Sequence, residues 1–255
     1  MAQPPPPARA AGGLAEPMAA FFAATALACA LYWLARAVPF VWEYLHVAIA
    51  VIFLGAPAVA SRIFKRPFDY EAAGLRFDPI GRGLAVVGGA IALTWPFFFG
   101  GFVLLYHFGC SAGTPAALRA LLGNFIPTCE IWHGWSRASF HLPGRVLELA
   151  LVQIAVIAVP EELFFRGYLF VRLEERWPSR ARLFGAQVGP ALLLSAAFFA
   201  LGHVLVDFDP QRLAVFFPGL VFGWMRARTG SIAAGVLFHA LCNLFSDALH
   251  ASFLR

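Results

Sequence analysis

An all-α, polytopic transmembrane helical bundle of about seven to eight spans is the fold this sequence predicts, and three observations predict it. Of its 255 residues, 60% are hydrophobic and only 13% charged, where soluble domains run near about a quarter charged. Mean hydropathy is +0.74. Apolar stretches approaching the roughly 20 residues a span requires recur near 17–37, 41–60, 83–106, 146–171, 186–206, 212–227 and 231–249.

In chain order, residues 1–17 (MAQPPPPARAAGGLAEP) are rich in Pro, Ala and Gly, lack apolar periodicity and read as a disordered lead-in. A cleavable signal peptide fits less well, because one basic residue precedes an apolar run longer than a signal core. The first three spans and the long loop 107–145 make an N-terminal membrane half, residues 18–145. The remaining four spans form a second unit, 146–255. Pro160 lies inside the fourth span, which is either one long helix or a helix broken there, since proline removes a backbone donor. Trp33, Trp42, Trp132, Trp135 and Trp177 fall near span ends or in loops, as an interfacial aromatic belt would.

Orientation follows the positive residues. With the N-terminus inside, Arg9, Arg62, Lys65, Arg66, Arg76, Arg82, Arg166, Arg172, Arg176, Arg180, Arg182, Arg226 and Arg228 lie on the inner side, 13 in all. Arg36, Arg119, Arg137, Arg145, Arg212 and Arg255 make 6 outside. The net charge of +5 therefore serves topology and contact with anionic lipid in the bilayer. No basic stripe interleaved with aromatics suggests nucleic-acid binding. Cys29 and Cys242 lie in spans and read as small buried hydrophobes. Cys110 and Cys129 share the outer loop, where an oxidising compartment would let them pair.

Polar side chains inside the spans point to function. The fourth span carries Glu161, Glu162 and Arg166, the fifth His203 and the seventh His239 and Asn243. A charge in hydrocarbon costs roughly 2.5–3.5 kcal/mol on the lenient insertion scales, so such residues face a protein interior or a wet cavity. Glu162 and Arg166, at i and i+4, stack on one helical face and can pair. Glu161 is turned about 100° away, so the two carboxylates need not share a role. Phe199 and His203, and likewise His239 and Asn243, stand one turn apart, so each histidine has a neighbour able to orient or shield it. By contrast, Asp207 and Asp209 read as residues that end a helix, His46 as an interfacial residue and Glu148 as a boundary charge.

Glu, His, His and Asn around one cavity suit activation of water, with Glu161 as general base and the histidines and Asn243 as donors to an oxyanion. Glu161, His203 and His239 are also a known ligand set for catalytic zinc, with an open position for water. The sequence does not separate a metal-free site from a Zn2+ site. Two other classes stay open: a proton or cation pathway, since carboxylates and histidines in spans also form relays, and a non-catalytic immunity or scaffold protein.

The ordered set Glu161-Glu162-x-x-x-Arg166, Phe199-x-x-x-His203 and His239-x-x-x-Asn243 resembles the CPBP family of intramembrane proteases, which includes the type II CAAX prenyl endopeptidases. The resemblance spans residues 146–249. It implies a membrane endopeptidase in which Glu161 activates water, His203, His239 and Asn243 surround the catalytic centre, and Glu162 and Arg166 support it. It favours a metal-free mechanism and a membrane-associated protein substrate. An Arg-heavy composition, 18 Arg to 1 Lys, suggests a GC-rich bacterial genome, and the expected location is then a bacterial inner membrane. The Val-Pro-Glu-Glu-Leu-Phe-Phe-Arg-Gly-Tyr-Leu segment is similar to the myxosortase-type branch, which processes C-terminal sorting signals of exported proteins.

Overall fold

A computed structural model describes residues 13–123, 125–126, 129–132, 134–136 and 139–254. Most of the expected lead-in lies outside the described residues, as do Arg9, Arg137 and Arg255 of the charge count. Helices α1 (Ala15–Ala37), α2 (Pro39–Ile63) and α3 (Ile80–Cys110) form the N-terminal half, followed by the short α4 (Ala116–Gly123). Next come α5 (Val146–Val152), α6 (Val159–Glu162) and α7 (Phe170–Arg176), joined by π-helical segments Gln153–Ala158 and Leu163–Leu169 into one uninterrupted helical rod. A two-stranded hairpin, β1 (Ala181–Leu183) and β2 (Ala186–Val188), leads to α8 (Pro190–Asp207), α9 (Phe216–Thr229) and α10 (Ala233–Phe253).

A helical segment thus lies at each of the seven expected positions, in an all-α bundle. Among the described residues, α1, α2, α3 and α8 are long and apolar enough to cross a membrane unaided. Several boundaries move. The fifth span begins at Pro190 and not 186, because Ala186–Val188 pairs with β1. The sixth begins at Phe216, after a 3₁₀ turn at Pro210–Val215. The lead-in stops short of residue 17, since α1 starts at Ala15 and Glu16 is buried.

Pro160 does not break the fourth helix. The chain reaches it from a π segment in which Val159 N–H bonds to Ile154 O, an i→i−5 contact. That wider turn relieves the clash a proline ring makes with the carbonyl four residues back.

The helices alternate in direction, giving the bundle two ends. At one, Glu16 forms an ion pair with Arg66 (2.6 Å) and accepts from Arg172 Nε (3.1 Å) and from the Tyr168 hydroxyl (3.2 Å), tying α1, the segment after α2 and the rod together. Arg226 of α9 donates to Ala73 O at the same end. At the other end lie the C-termini of α1, α3, α8 and α10. Cys110 and Cys129 form a disulfide there, and His141 N–H bonds to Ser252 Oγ (3.0 Å). Glu148 pairs with Arg145 on the surface there, as a boundary charge would.

Aromatic side chains fill the centre. Phe21, Phe53, Phe164, Phe165, Phe199 and Phe222 are buried together against the rod. Their ring area is the apolar mass that holds α1, α2, α8 and α9 around it.

Candidate active site

Midway along the rod, Val159–Glu162 is a single α turn flanked by the two π segments. Such π insertions shift side-chain phase and recur at functional sites. Here Glu161 and Glu162 point to separate environments. Glu162 is fully buried, as is Arg166, and Arg166 Nη1 donates to Glu162 Oε1 at 3.1 Å. The i, i+4 pairing expected from spacing is present.

Arg166 is held through both terminal nitrogens and by stacked rings. Nη2 donates to Gly219 O on α9 (3.1 Å), and the guanidinium carbon lies 4.1 Å from the Phe199 ring centroid and 5.1 Å from that of Phe222. A methyl group at Gly219 would stand 3.1 Å from Arg166 Nη2, and one at Gly235 would stand 3.0 Å from Glu162 Oε2. These two glycines let α9 and α10 press onto the buried ion pair.

His239 of α10 takes its orientation from that pair. Its Nδ1 is 3.2 Å from Glu162 Oε1, and its ring stacks on Phe222 at 4.8 Å. A carboxylate bound to Arg166 only accepts, so Nδ1–H donates and Nε2 is the free face. His203 of α8 is set in the same way by different means. Its Nδ1 lies 2.8 Å from Phe199 O, a carbonyl that only accepts, and its ring packs on Phe199 at 4.5 Å. Both free Nε2 atoms converge on Glu161 Oε2, at 3.9 Å from His239 and 4.0 Å from His203. That oxygen is buried and has no hydrogen-bond partner among the described residues.

Asn243 differs from expectation in its partner. Its amide donates to Gln153 Oε1 at 2.7 Å, and His239 is oriented by Glu162 rather than by Asn243 one turn on. Gln153, buried in the first π segment, was visible as a polar residue in an apolar run but carried no motif. Asp207 and His46 are also more than boundary residues. Both line a cavity of about 350 Å³ between α1, α2 and α8 that reaches Glu161 and His203. Asp207 accepts from Arg212 at 2.9 Å at its rim. This rim lies at the disulfide end of the bundle.

The convergent atoms suit water better than zinc as they stand. A tetrahedral zinc ion about 2.05 Å from its ligands needs donor atoms roughly 3.3 Å apart. At 3.9 Å, the Glu161–zinc–His239 angle would open to about 145°. A water oxygen about 2.8 Å from the same two atoms subtends about 90°, within reach of hydrogen bonding. Among the described residues no cluster of three or more His, Cys, Asp or Glu has metal-holding geometry. The donor types are those of zinc, but the spacing does not fit it.

Residues 143–245, which contain all of Glu161, Glu162, Arg166, His203 and His239 and stop just past Asn243, match the family model described as Type II CAAX prenyl endopeptidase Rce1-like. No curated protein and no solved structure matches the chain. Match and geometry fall on the same four spans, and over them this membrane protein is similar to the Rce1-like proteases.

Proposed function

We propose that this chain is an intramembrane endopeptidase that hydrolyses a peptide bond of a membrane-associated protein with water activated by Glu161. One observation carries the reading: the buried, unpartnered Glu161 Oε2 lies 3.9 and 4.0 Å from two histidine Nε2 atoms whose other nitrogens are already engaged. Three acceptors meeting at one point exceed the two hydrogens of a water molecule. A hydrogen at one Nε2 makes that atom a donor and completes the site.

The reaction then balances. Glu161 takes a proton from water as its oxygen attacks the scissile carbonyl carbon. The oxyanion accepts from the Nε2–H of His203, which is the more exposed histidine and lines the cavity. Glu161 returns the proton to the amine as the C–N bond breaks. Glu162 and Arg166 are positioning residues: they fix the tautomer and aim of His239. Asn243, tethered to Gln153, is a further donor on the α10 face.

The cavity and the disulfide share one end of the bundle, and disulfides persist in oxidising compartments. The proposed substrate is therefore cleaved at the extracytoplasmic end of its membrane anchor, as an exported protein with a C-terminal sorting signal would be. The N-terminus then faces the cytoplasm, in agreement with the charge count. The test compares membrane proteomes of cells carrying the wild-type chain or Glu161→Gln. New C-termini close to an anchor's extracytoplasmic end, present only with the wild type, are expected. Identical C-termini in both strains would refute the reading.

A further inference from the structure

A second feature lies at the opposite end of the bundle, away from the proposed catalytic residues. Between α3, α8, α9 and the β1–β2 hairpin runs an apolar groove of about 820 Å³, within the usual range of small-molecule sites, about 300–1,000 Å³. On α3 it extends from Arg82 to Thr94, twelve residues or about 18 Å at 1.5 Å each. That is close to one leaflet of a bilayer whose hydrocarbon core is about 30 Å thick. Leu93, Leu193 and Leu220 give its walls a hydrocarbon surface, and Thr94 at the deep end is already satisfied by Ala90 O (2.8 Å).

Charge is confined to the rim. Arg82 and Arg228 line it, no acidic residue does, and neither arginine has a hydrogen-bond or ion-pair partner among the described residues. Arg228 is nevertheless held in place. The hairpin turn lies over its guanidinium at Gly185, where φ is +77° and an added Cβ would stand 2.9 Å from Nε and Cζ. The hairpin is pinned in turn by Trp224 Nε1–H donating to Leu183 O (3.1 Å). A positioned guanidinium with no carboxylate partner among the described residues tops a groove of acyl-chain character.

We propose that this groove binds an anionic phospholipid of the cytoplasmic leaflet, with an acyl chain along α3 and the phosphate between Arg82 and Arg228. Basic pockets between spans on the cytoplasmic side recognise such headgroups, and an acyl chain is matched to the groove in length and polarity. The site is independent of the proteolytic reading.

The test is native mass spectrometry of the purified full-length chain in detergent with equimolar dioleoyl-phosphatidylglycerol and dioleoyl-phosphatidylcholine. The wild type should retain phosphatidylglycerol preferentially. Arg82→Gln with Arg228→Gln should weaken that retention about thirtyfold, roughly fivefold per arginine, while Arg36→Gln at the other end leaves it unchanged. Leu93→Trp, which narrows the groove and keeps both arginines, should lower retention of both lipids and stands alone if the double variant does not fold. Equal retention of the two lipids by the wild type overturns the proposal. So does unchanged retention in Leu93→Trp, or a dimer that Leu93→Trp dissociates, which would mean a second copy fills the groove.

Discussion

Replacing Arg166 by Met tests how the site is held. The substitution keeps most of the side chain's length and removes two hydrogen bonds, to Glu162 (3.1 Å) and Gly219 O (3.1 Å), as well as the guanidinium stacked on Phe199. It leaves the fully buried Glu162 carboxylate with His239 Nδ1–H as its remaining donor. Breaking one partner of a buried pair costs about 3–5 kcal/mol. For a chain of this size that is a fall in Tm of about 6–20 °C, at roughly 2–4 °C per kcal/mol. Adding Glu162→Gln removes the stranded charge, so the double variant should recover about 2 kcal/mol relative to additive costs. Scanning fluorimetry of the four proteins in one detergent completes the cycle. Additive costs, with coupling below about 0.5 kcal/mol, would refute the claim that the two residues act as a buried pair.

Three further outcomes follow from the contacts. Glu16→Ala should destabilise the protein by about 1–3 kcal/mol and expose α1 to limited proteolysis, since it removes the carboxylate that ties α1 to Arg66, Tyr168 and Arg172 while both arginines keep Glu175. Gly235→Ala places a methyl 3.0 Å from Glu162 Oε2 and should lower kcat about tenfold with KM little changed, whereas Gly88→Ala, with nothing within 4 Å, should leave both unchanged. Cys110→Ser opens a loop closed across a separation of 19 residues. It should cost about 3 kcal/mol and speed proteolysis within 111–145.

The reacting groups were legible because charge in an apolar run is costly and therefore conspicuous. Glu161, Glu162, Arg166, His203 and His239 each stood out for that reason, and helical spacing alone gave the Glu162–Arg166 pair. The partner of Asn243 was not legible. A 3.6-residue period puts Gln153 about 80° from Glu161, and only the intervening π segment brings it onto α10. Glu16 was hidden by its surroundings, a single acid next to a Pro/Ala/Gly-rich stretch with nothing to announce Arg66 and Arg172. Asp207 was read as a residue that ends a helix, and it is the last residue of α8, while His46 was read as an interfacial residue and lies two turns into α2. Their shared cavity depends on how α1 and α2 pack against α8, which no local pattern encodes.

The central claim is that Glu161 Oε2 activates the attacking water. Its most direct test is the rate at which purified, reconstituted Glu161→Gln cleaves a membrane-anchored substrate, with thermal unfolding run alongside. Loss of a general base should lower kcat by about 10²–10⁴ with Tm unchanged, because Oε2 has no protein partner to lose. Cleavage at the wild-type rate by a folded Glu161→Gln protein would contradict the account.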